Sequence, residues 1–240
     1  MASTGDPSTS PDAQISPQAS LAYWSSHQPT VDSMLGGFPQ VSNTDLKGSA
    51  AFYAKLLRQH PPGSASSPKI GVDCGAGIGR VTAGFLSKVC DVVDIVEPVE
   101  SFATAVGEQK LQGNANIGKV FIKGLADWTP EAGRYDLIWN QWCTLYLTDR
   151  QLVEYLVRCK ETIKKPRGWI IVKENTTKAV VDDGGTTDDI YDEEDSSVTR
   201  TNEKLLEIFK KAALEVLAQE TQKGFPKGLG LYPVRMYALR

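Results

Sequence analysis

A glycine-rich stretch, Asp73–Arg80, places three glycines close together, with an acidic residue two positions before the first of them. Glycine has no Cβ, so a turn built from it lets the backbone approach a ligand closely. Glu97 follows twenty-two residues after Gly75, and its carboxylate could accept hydrogen bonds from both hydroxyls of a ribose. This pattern indicates a site for a cofactor that contains a nucleoside.

The order of the glycines distinguishes between such cofactors. A dinucleotide fingerprint reads G-x-G-x-x-G, whereas this stretch reads G-x-G-x-G. The acidic side chain of Asp73 beside the turn repels a pyrophosphate and suits a ligand with a cationic amino-acid tail. S-adenosylmethionine therefore fits better than NAD, and an NAD-dependent oxidoreductase stays as a distant alternative.

The elements that must position these residues follow Pro68. Five short apolar runs, rich in β-branched residues, alternate with helix-like stretches, and two further runs near the C-terminus are joined by a short loop. The alternation predicts an α/β fold with a parallel sheet and helices on both faces, and the last two runs predict an antiparallel hairpin at its edge. The glycine-rich stretch then lies where the first strand turns into the first helix, which is where such sheets bind nucleotide-like ligands.

The composition predicts one folded domain over residues 21–240. Residues 1–20 hold almost no large apolar side chain, and we expect them to form a disordered tail. Residues 21–62 are predicted to form an N-terminal helical cap, with a helix over Asp45–His60 that Asp45 caps. The core is predicted over residues 68–240, with an acidic insert at 178–195.

Charge and residue usage disfavour several classes of protein. The net charge is −3, and no apolar run is long enough for a membrane span, so nucleic acid and membrane partners are not expected. Four cysteines without CxxC spacing and only two histidines predict no metal site. The N-terminus has no basic or apolar region typical of a secretory signal, so we expect a cytoplasmic protein, with the nucleus also open. We also expect a monomer.

Several short motifs occur in one order along the chain. They are Y-W at residues 23–24, T-V-D-x-M-L-G-G at 30–37, D-C-G-A-G-I-G-R at 73–80, I-W-x-Q-W at 138–142, L-T-D at 147–149, K-E-N at 173–175 and D-S-S-V at 195–198. On these motifs, residues 23–240 resemble the protein α-N-terminal methyltransferases, a branch of the class I S-adenosylmethionine-dependent enzymes with a seven-stranded Rossmann-like sheet. The resemblance implies methylation of the free α-amino group of proteins that begin with X-Pro-Lys or X-Pro-Arg after Met removal, with ribosomal proteins as one candidate class.

The resemblance also assigns roles to individual residues. The residues that it assigns to the cofactor are Gly75, Gly77, Arg80, Glu97, Pro98, Gly124, Leu125, Ala126 and Gln141. Those that it assigns to the peptide substrate are Tyr23, Trp24, Leu35, Trp142, Glu174, Asp192, Ser197, Leu231 and Tyr232. The catalytic candidates are Asp195, Asn175 and Tyr146.

Two positions depart from the family pattern. Many relatives have a histidine where this chain has Tyr146, and Asp-Asn where it has Glu174-Asn175. A tyrosine near pKa 10 is already protonated at neutral pH, so it can only donate a hydrogen bond or orient a partner. Asp195 then becomes the main candidate for the base, with Asn175 or a water in relay.

The segment before Asp195 looks longer than is usual for the family. It carries eight acidic residues and no basic one between Lys178 and Arg200, which would make a negative rim attractive to a cationic peptide end. We expect most of these eight side chains to be solvated, with Asp192 and Asp195 as the exceptions because the family motif falls on them.

Besides the oxidoreductase, two alternatives stay open on the sequence. The first is another class I methyltransferase, acting on a lysine side chain or a small molecule. The second is a non-catalytic scaffold that binds the cofactor and docks a partner through its acidic insert. The scaffold is less favoured because it has no need of Asn175, Asp195 and the two tryptophans at positions 24 and 142.

Overall fold

The computed structural model describes residues 10–61, 68–111, 116–177 and 188–240. Nine strands occur in this part of the chain: β1 (Ile70–Cys74), β2 (Val92–Val96), β3 (Ile117–Phe121), β4 (Leu137–Gln141), β5 (Trp169–Asn175), β6 (Ile190–Asp192), β7 (Ser197–Thr199), β8 (Val216–Thr221) and β9 (Val234–Leu239). The α-helices are α1 (Pro17–Ser25), α2 (Val31–Met34), α3 (Ser42–Gln59), α4 (Arg80–Gly84), α5 (Glu100–Leu111), α6 (Asp149–Thr162) and α7 (Asn202–Lys211).

Seven of the strands form one sheet in the order β3-β2-β1-β4-β5-β9-β8. Strands β1 to β5 run parallel to one another, and β9 lies antiparallel between β5 and β8. The remaining strands, β6 and β7, form a separate antiparallel pair. The predicted α/β fold with a seven-stranded sheet is confirmed, including the antiparallel C-terminal hairpin at its edge.

Helices cover both faces of the sheet. On one face, α6 and α7 pack against the sheet through buried residues such as Leu152, Leu156 and Phe209. On the other face, α3 packs through residues such as Phe52 and Leu56. Each fully buried side chain of this size contributes about 1.5–3 kcal/mol relative to exposure, so the two apolar layers hold the helices against the sheet.

The N-terminal segment differs from the sequence prediction. Residues 1–9 lie outside the described residues, but Pro11–Gln14 form a 3-10 turn and α1 begins at Pro17. The Ser16 backbone N–H donates to Ser196 Oγ at 2.9 Å, and the Ser20 hydroxyl donates to the Ser196 carbonyl at 3.1 Å. The disordered tail is therefore wrong for residues 10–20, because polar contacts with the distant turn before β7 hold a segment that has few large apolar side chains.

The prediction for Asp45 is also corrected. The helix predicted over Asp45–His60 runs over Ser42–Gln59, so Asp45 lies inside it and does not cap it. Its side chain is fully buried and forms ion pairs with Arg80 and Lys173.

Of the predicted acidic insert, residues 178–187 lie outside the described residues, and residues 188–195 lead through β6 into the turn before β7. Among the helices described, none is both long and apolar enough to cross a membrane. The described residues also hold no group of three or more His, Cys, Asp or Glu side chains that could bind a metal ion.

Candidate active site

A cavity of about 320 Å³ lies at the carboxyl ends of β1, β2 and β4. Its volume falls at the lower end of the range of about 300–1,000 Å³ for sites that bind small molecules. Its wall contains all nine residues that the sequence assigned to the cofactor, together with Trp24, Trp142 and Tyr146. The structure therefore brings the predicted cofactor residues to one place.

The glycine-rich turn needs its glycines for two reasons. Gly75 and Gly77 have φ angles of 62° and 55°, in the left-handed region that favours glycine. A Cβ at Gly75 would lie 2.4 Å from Cys143 Cβ, and one at Gly77 would lie 2.7 Å from Met34 Sδ. The turn thus packs tightly against its neighbours while its backbone faces the cavity.

Glu97 closes this turn from the end of β2. Its Oε2 accepts the Gly77 N–H at 2.7 Å, and its Oε1 accepts the Val99 N–H at 2.8 Å. Burial raises the pKa of Glu97 to about 7, although the hydrogen bonds from these two N–H groups lower it. Each carboxylate oxygen has a second lone pair, so Glu97 can still accept hydrogen bonds from ribose hydroxyls in the cavity.

Asp73 lies beneath the turn and is absent from the wall described for the cavity. Its Oδ2 accepts the Thr82 hydroxyl at 2.6 Å, and burial raises its pKa to about 6. Asp73, which the sequence placed beside the ligand, therefore influences the ligand through its electrostatic field and not by direct contact.

Behind Arg80 and Gln141 lies a buried carboxylate that the sequence reasoning missed. Asp45 Oδ2 lies 2.8 Å from Arg80 Nη1, and the Gln141 Nε2 donates to Oδ1 and Oδ2 of Asp45 at 3.0 and 2.9 Å. One signal could have found it: Asp45 is spaced four, seven and eleven residues before Ser49, Phe52 and Leu56, all on the buried face of α3.

Trp142 follows β4 directly and adopts an unusual backbone conformation. Its φ of 53° lies in the left-handed region, which costs a non-glycine residue on the order of 1–3 kcal/mol. The Arg80 guanidinium carbon lies 5.5 Å from the centroid of its ring, a cation–π contact. The strained backbone thus presents the indole to the cavity next to Arg80.

The turn after Trp142 is held from behind by Glu174. Glu174 Oε1 accepts the N–H groups of Cys143 and Thr144 at 2.9 and 2.8 Å, and the Thr144 hydroxyl at 2.9 Å. Burial raises the pKa of Glu174 to about 7. The sequence assigned Glu174 to the peptide, but its contacts support the turn that carries Trp142 and Tyr146. Glu174 is not among the residues described in the cavity wall.

Three catalytic and substrate candidates form a chain of hydrogen bonds. Trp24 Nε1 donates to the Tyr146 hydroxyl at 2.8 Å, and that hydroxyl donates to Asp195 Oδ2 at 2.8 Å. Burial raises the pKa of Tyr146 well above its ordinary value, so it stays protonated. Desolvation also raises the pKa of Asp195, although the neighbouring Ser197 and Tyr146 oppose this shift.

The other predicted site residues lie outside the wall described for the cavity. Tyr23 packs edge-to-face on Trp24 with ring centroids 5.3 Å apart, and Asn175 lines a separate pocket of about 10 Å³ with Glu174 and Arg200. Leu35 is buried after α2, and Ser197 is buried on β7. Asp192 is exposed, Leu231 is half-buried and Tyr232 is 40% exposed. Their contacts with a peptide stay predictions.

Comparison with known proteins decides the family. A family model described as AdoMet-dependent proline di-methyltransferase matches residues 12–240. The chain belongs to this family. The methyltransferase is 44% identical to alpha N-terminal protein methyltransferase 1 of Schizosaccharomyces pombe, with 91% of this chain and 93% of that protein covered. It is 39% identical to N-terminal Xaa-Pro-Lys N-methyltransferase 1 of Mus musculus, covering 91% of this chain and 92% of that one.

Solved structures agree with this family and with the fold. A SAM-dependent methyltransferase of Leishmania major is 31% identical, with a TM-score of 0.81 over 93% of this methyltransferase and 82% of that chain. The fold is shared with phosphoethanolamine N-methyltransferase 1 of Haemonchus contortus at 18% identity, with a TM-score of 0.67 over 96% of this chain and 50% of that one. The methyltransferase uses S-adenosylmethionine, as the sequence predicted.

The residues of the cavity fit this cofactor. The methyltransferase offers the exposed backbone of the glycine turn, the Glu97 carboxylate for ribose hydroxyls and the Arg80 guanidinium for a carboxylate. Val99, Phe102 and Leu125 supply apolar wall for an aromatic base. When bound, the cofactor supplies a methyl group attached to a positively charged sulfur.

Proposed function

We propose that this methyltransferase acts on the free α-amino group of proteins that begin with X-Pro-Lys or X-Pro-Arg after removal of Met. The relatives from fission yeast and mouse carry names for N-terminal and Xaa-Pro-Lys methylation, which supports the proposal. The observation that carries it is the Trp24, Tyr146 and Asp195 chain, which connects the wall of the cofactor cavity to a half-buried carboxylate.

The chemistry of the acceptor fits a weak base. An α-amino group has a pKa of about 7.7–8.0, so freeing its lone pair at neutral pH costs on the order of 1 kcal/mol. A lysine side chain near pKa 10.4 would require roughly 4–5 kcal/mol for the same step. A carboxylate with a raised pKa is therefore sufficient for a chain terminus and insufficient for a lysine.

Asp195 accepts the proton of the amine in this proposal. In one concerted relay the ammonium passes a proton to the Tyr146 hydroxyl oxygen while Tyr146 passes its own proton to Asp195 Oδ2, so that Tyr146 is protonated before and after the step and the amine becomes neutral. The neutral nitrogen then attacks the methyl carbon, and the electrons of the carbon–sulfur bond return to sulfur. Each further methylation requires another deprotonation of the product amine.

Electrostatics on the peptide side favours a cationic chain end. Burial raises the pKa of Tyr23, and the charges of Glu194, Asp195 and Asp192 raise it further, so these carboxylates lie near a ring that packs on Trp24. A negative field of this kind attracts an ammonium terminus and a basic third residue. Ribosomal proteins with such termini in the cytoplasm are the substrates that we propose to test first.

The experiment compares matched peptides with S-adenosylmethionine. With peptides that begin with free Ala-Pro-Lys or Ser-Pro-Lys, we expect the enzyme to produce S-adenosylhomocysteine at a steady rate. With their N-acetylated copies, we expect no product. A third copy, with the lysine side chain acetylated and the terminus free, should still be methylated, but more slowly because it lacks the basic third residue. Equal rates for the free and N-acetylated peptides would overturn the proposal and point to a lysine acceptor.

A further inference from the structure

A buried polar cluster joins four elements of the fold beside the cofactor cavity. It consists of Asp45 on α3, Arg80 on α4, Gln141 on β4 and Lys173 on β5, and we call these four residues the Asp45 cluster. Arg80 and Gln141 belong to the cavity wall, whereas Asp45 and Lys173 do not appear in the wall that the structure describes. The cluster therefore has a cavity side and a buried side.

Lys173 anchors the buried side. Its Nζ lies 2.5 Å from Asp45 Oδ1 and donates to the Asp45 carbonyl at 3.0 Å, to Ser49 Oγ at 2.9 Å and to Gln222 Oε1 at 3.1 Å. The Gln222 amide packs against residue 48, which is a glycine. A Cβ added there would lie 2.0 Å from Gln222 Oε1. Lys173 on β5 thus links Asp45 and Ser49 on α3 to the residue after β8.

On the cavity side, the same carboxylate determines where two polar groups point. Arg80 Nη1 and Gln141 Nε2 both reach Asp45, and the Gln141 Oε1 accepts the Trp139 indole N–H at 3.1 Å. One carboxylate faces two cations, so the cluster by itself carries a net charge of +1. The remaining positive charge next to the cavity suits an anionic group of a ligand.

We propose that Asp45 is a positioning residue for the cofactor, holding the Arg80 guanidinium and the Gln141 amide so that they meet its amino-acid end. Asp45 acts through these two side chains, so its effect falls on cofactor binding and not on the methyl-transfer step. The inference rests on the cofactor of the family and is independent of the peptide substrate.

The first test measures binding of S-adenosylhomocysteine by isothermal titration calorimetry, with no peptide present. Asp45→Asn should weaken binding about tenfold or more. The matched control is Asp94→Asn: Asp94 is also fully buried and pairs with Arg134 at 2.6 Å, but it is not among the residues of the cavity wall. An equal loss in both variants would mean a general loss of packing and would overturn the inference.

The second test separates positioning from charge neutralisation. The double variant Asp45→Asn/Lys173→Met keeps the native net charge of the cluster, so it carries the test if the single variant does not fold. If Asp45 only neutralises Lys173, the double variant regains wild-type affinity, which would contradict the inference. If Asp45 positions the two side chains, the affinity of the double variant should stay about tenfold weaker than that of wild type. The KM for S-adenosylmethionine should rise, while kcat at saturating cofactor should change less than about threefold.

Discussion

Tyr146 donates a hydrogen bond to Asp195 Oδ2 at 2.8 Å while it accepts one from the Trp24 indole at the same distance. These three residues come from α1, from the turn after β4 and from the turn before β7, so the site forms only when three distant segments meet. Tyr146 uses its single proton in the hydrogen bond to Asp195 and one lone pair for the Trp24 N–H, so its second lone pair can accept a hydrogen bond from a substrate amine.

Asp195→Asn tests the proposed base. The amide keeps the shape of the side chain but cannot take up a proton, so we expect kcat to fall by on the order of 100-fold. Binding of S-adenosylhomocysteine should stay unchanged, because Asp195 is not among the residues of the cavity wall. The matched control is Asp189→Asn in the same segment, whose carboxylate accepts the Thr201 N–H at 2.8 Å. Near-wild-type turnover in Asp195→Asn would rule this base out.

Tyr146→Phe should change the pH profile as well as the rate. The hydrogen bond from Tyr146 lowers the pKa of Asp195, so its loss raises that pKa further. A base with a higher pKa becomes protonated at a higher pH, so the acidic limb of the kcat profile should move to higher pH, with kcat lowered by about tenfold. The profile is measured with one peptide at saturation for both proteins, and a limb that moves to lower pH would contradict the assignment.

Replacing Trp142 by glycine and by alanine separates its backbone from its ring. Both variants lose the indole, so both should lose peptide turnover to the same extent. Because φ at this position is 53°, the glycine variant should be more stable than the alanine variant by about 1 kcal/mol. Chemical denaturation of the two proteins checks this difference, and an alanine variant as stable as the glycine variant would show that the backbone is not strained.

Glu174 makes the stability of the fold depend on pH. Burial raises its pKa in the folded protein to about 7, above its value in the unfolded chain, so the folded state binds more protons in this range. The contribution of Glu174 is therefore favourable at low pH and is lost as the pH rises towards 7. Between about pH 5.5 and 7.5, wild type should lose about 1–2 kcal/mol more of its unfolding free energy than Glu174→Gln, as measured by urea denaturation. Equal losses would place the pKa of Glu174 near its ordinary value.

The sequence predicted the sheet and the cofactor cavity well, for a physical reason. Buried parallel strands need continuous apolar runs, and a turn that approaches a ligand needs glycine, so both features are written in local patterns. That is why β1, the glycine turn and Glu97 could be placed from the sequence alone.

Other features depend on contacts between distant segments and left no local pattern. Residues 10–20 fold because Ser16 and Ser20 meet Ser196, and Glu174 supports a turn some thirty residues earlier in the chain. The left-handed backbone of Trp142 was equally hidden, since this conformation is typical of glycine and asparagine and not of tryptophan. Lys173 in a buried strand was a usable signal, because a buried ammonium requires a carboxylate such as that of Asp45.

Tandem mass spectrometry shows most directly which nitrogen the enzyme methylates. A peptide that begins with Ala-Pro-Lys is incubated with the enzyme and a methyl donor labelled with deuterium on the transferred group, and its fragments are then sequenced. We predict that every label lies on the α-nitrogen of the first residue. Labels on the lysine side chain, with an unlabelled terminus, would contradict it.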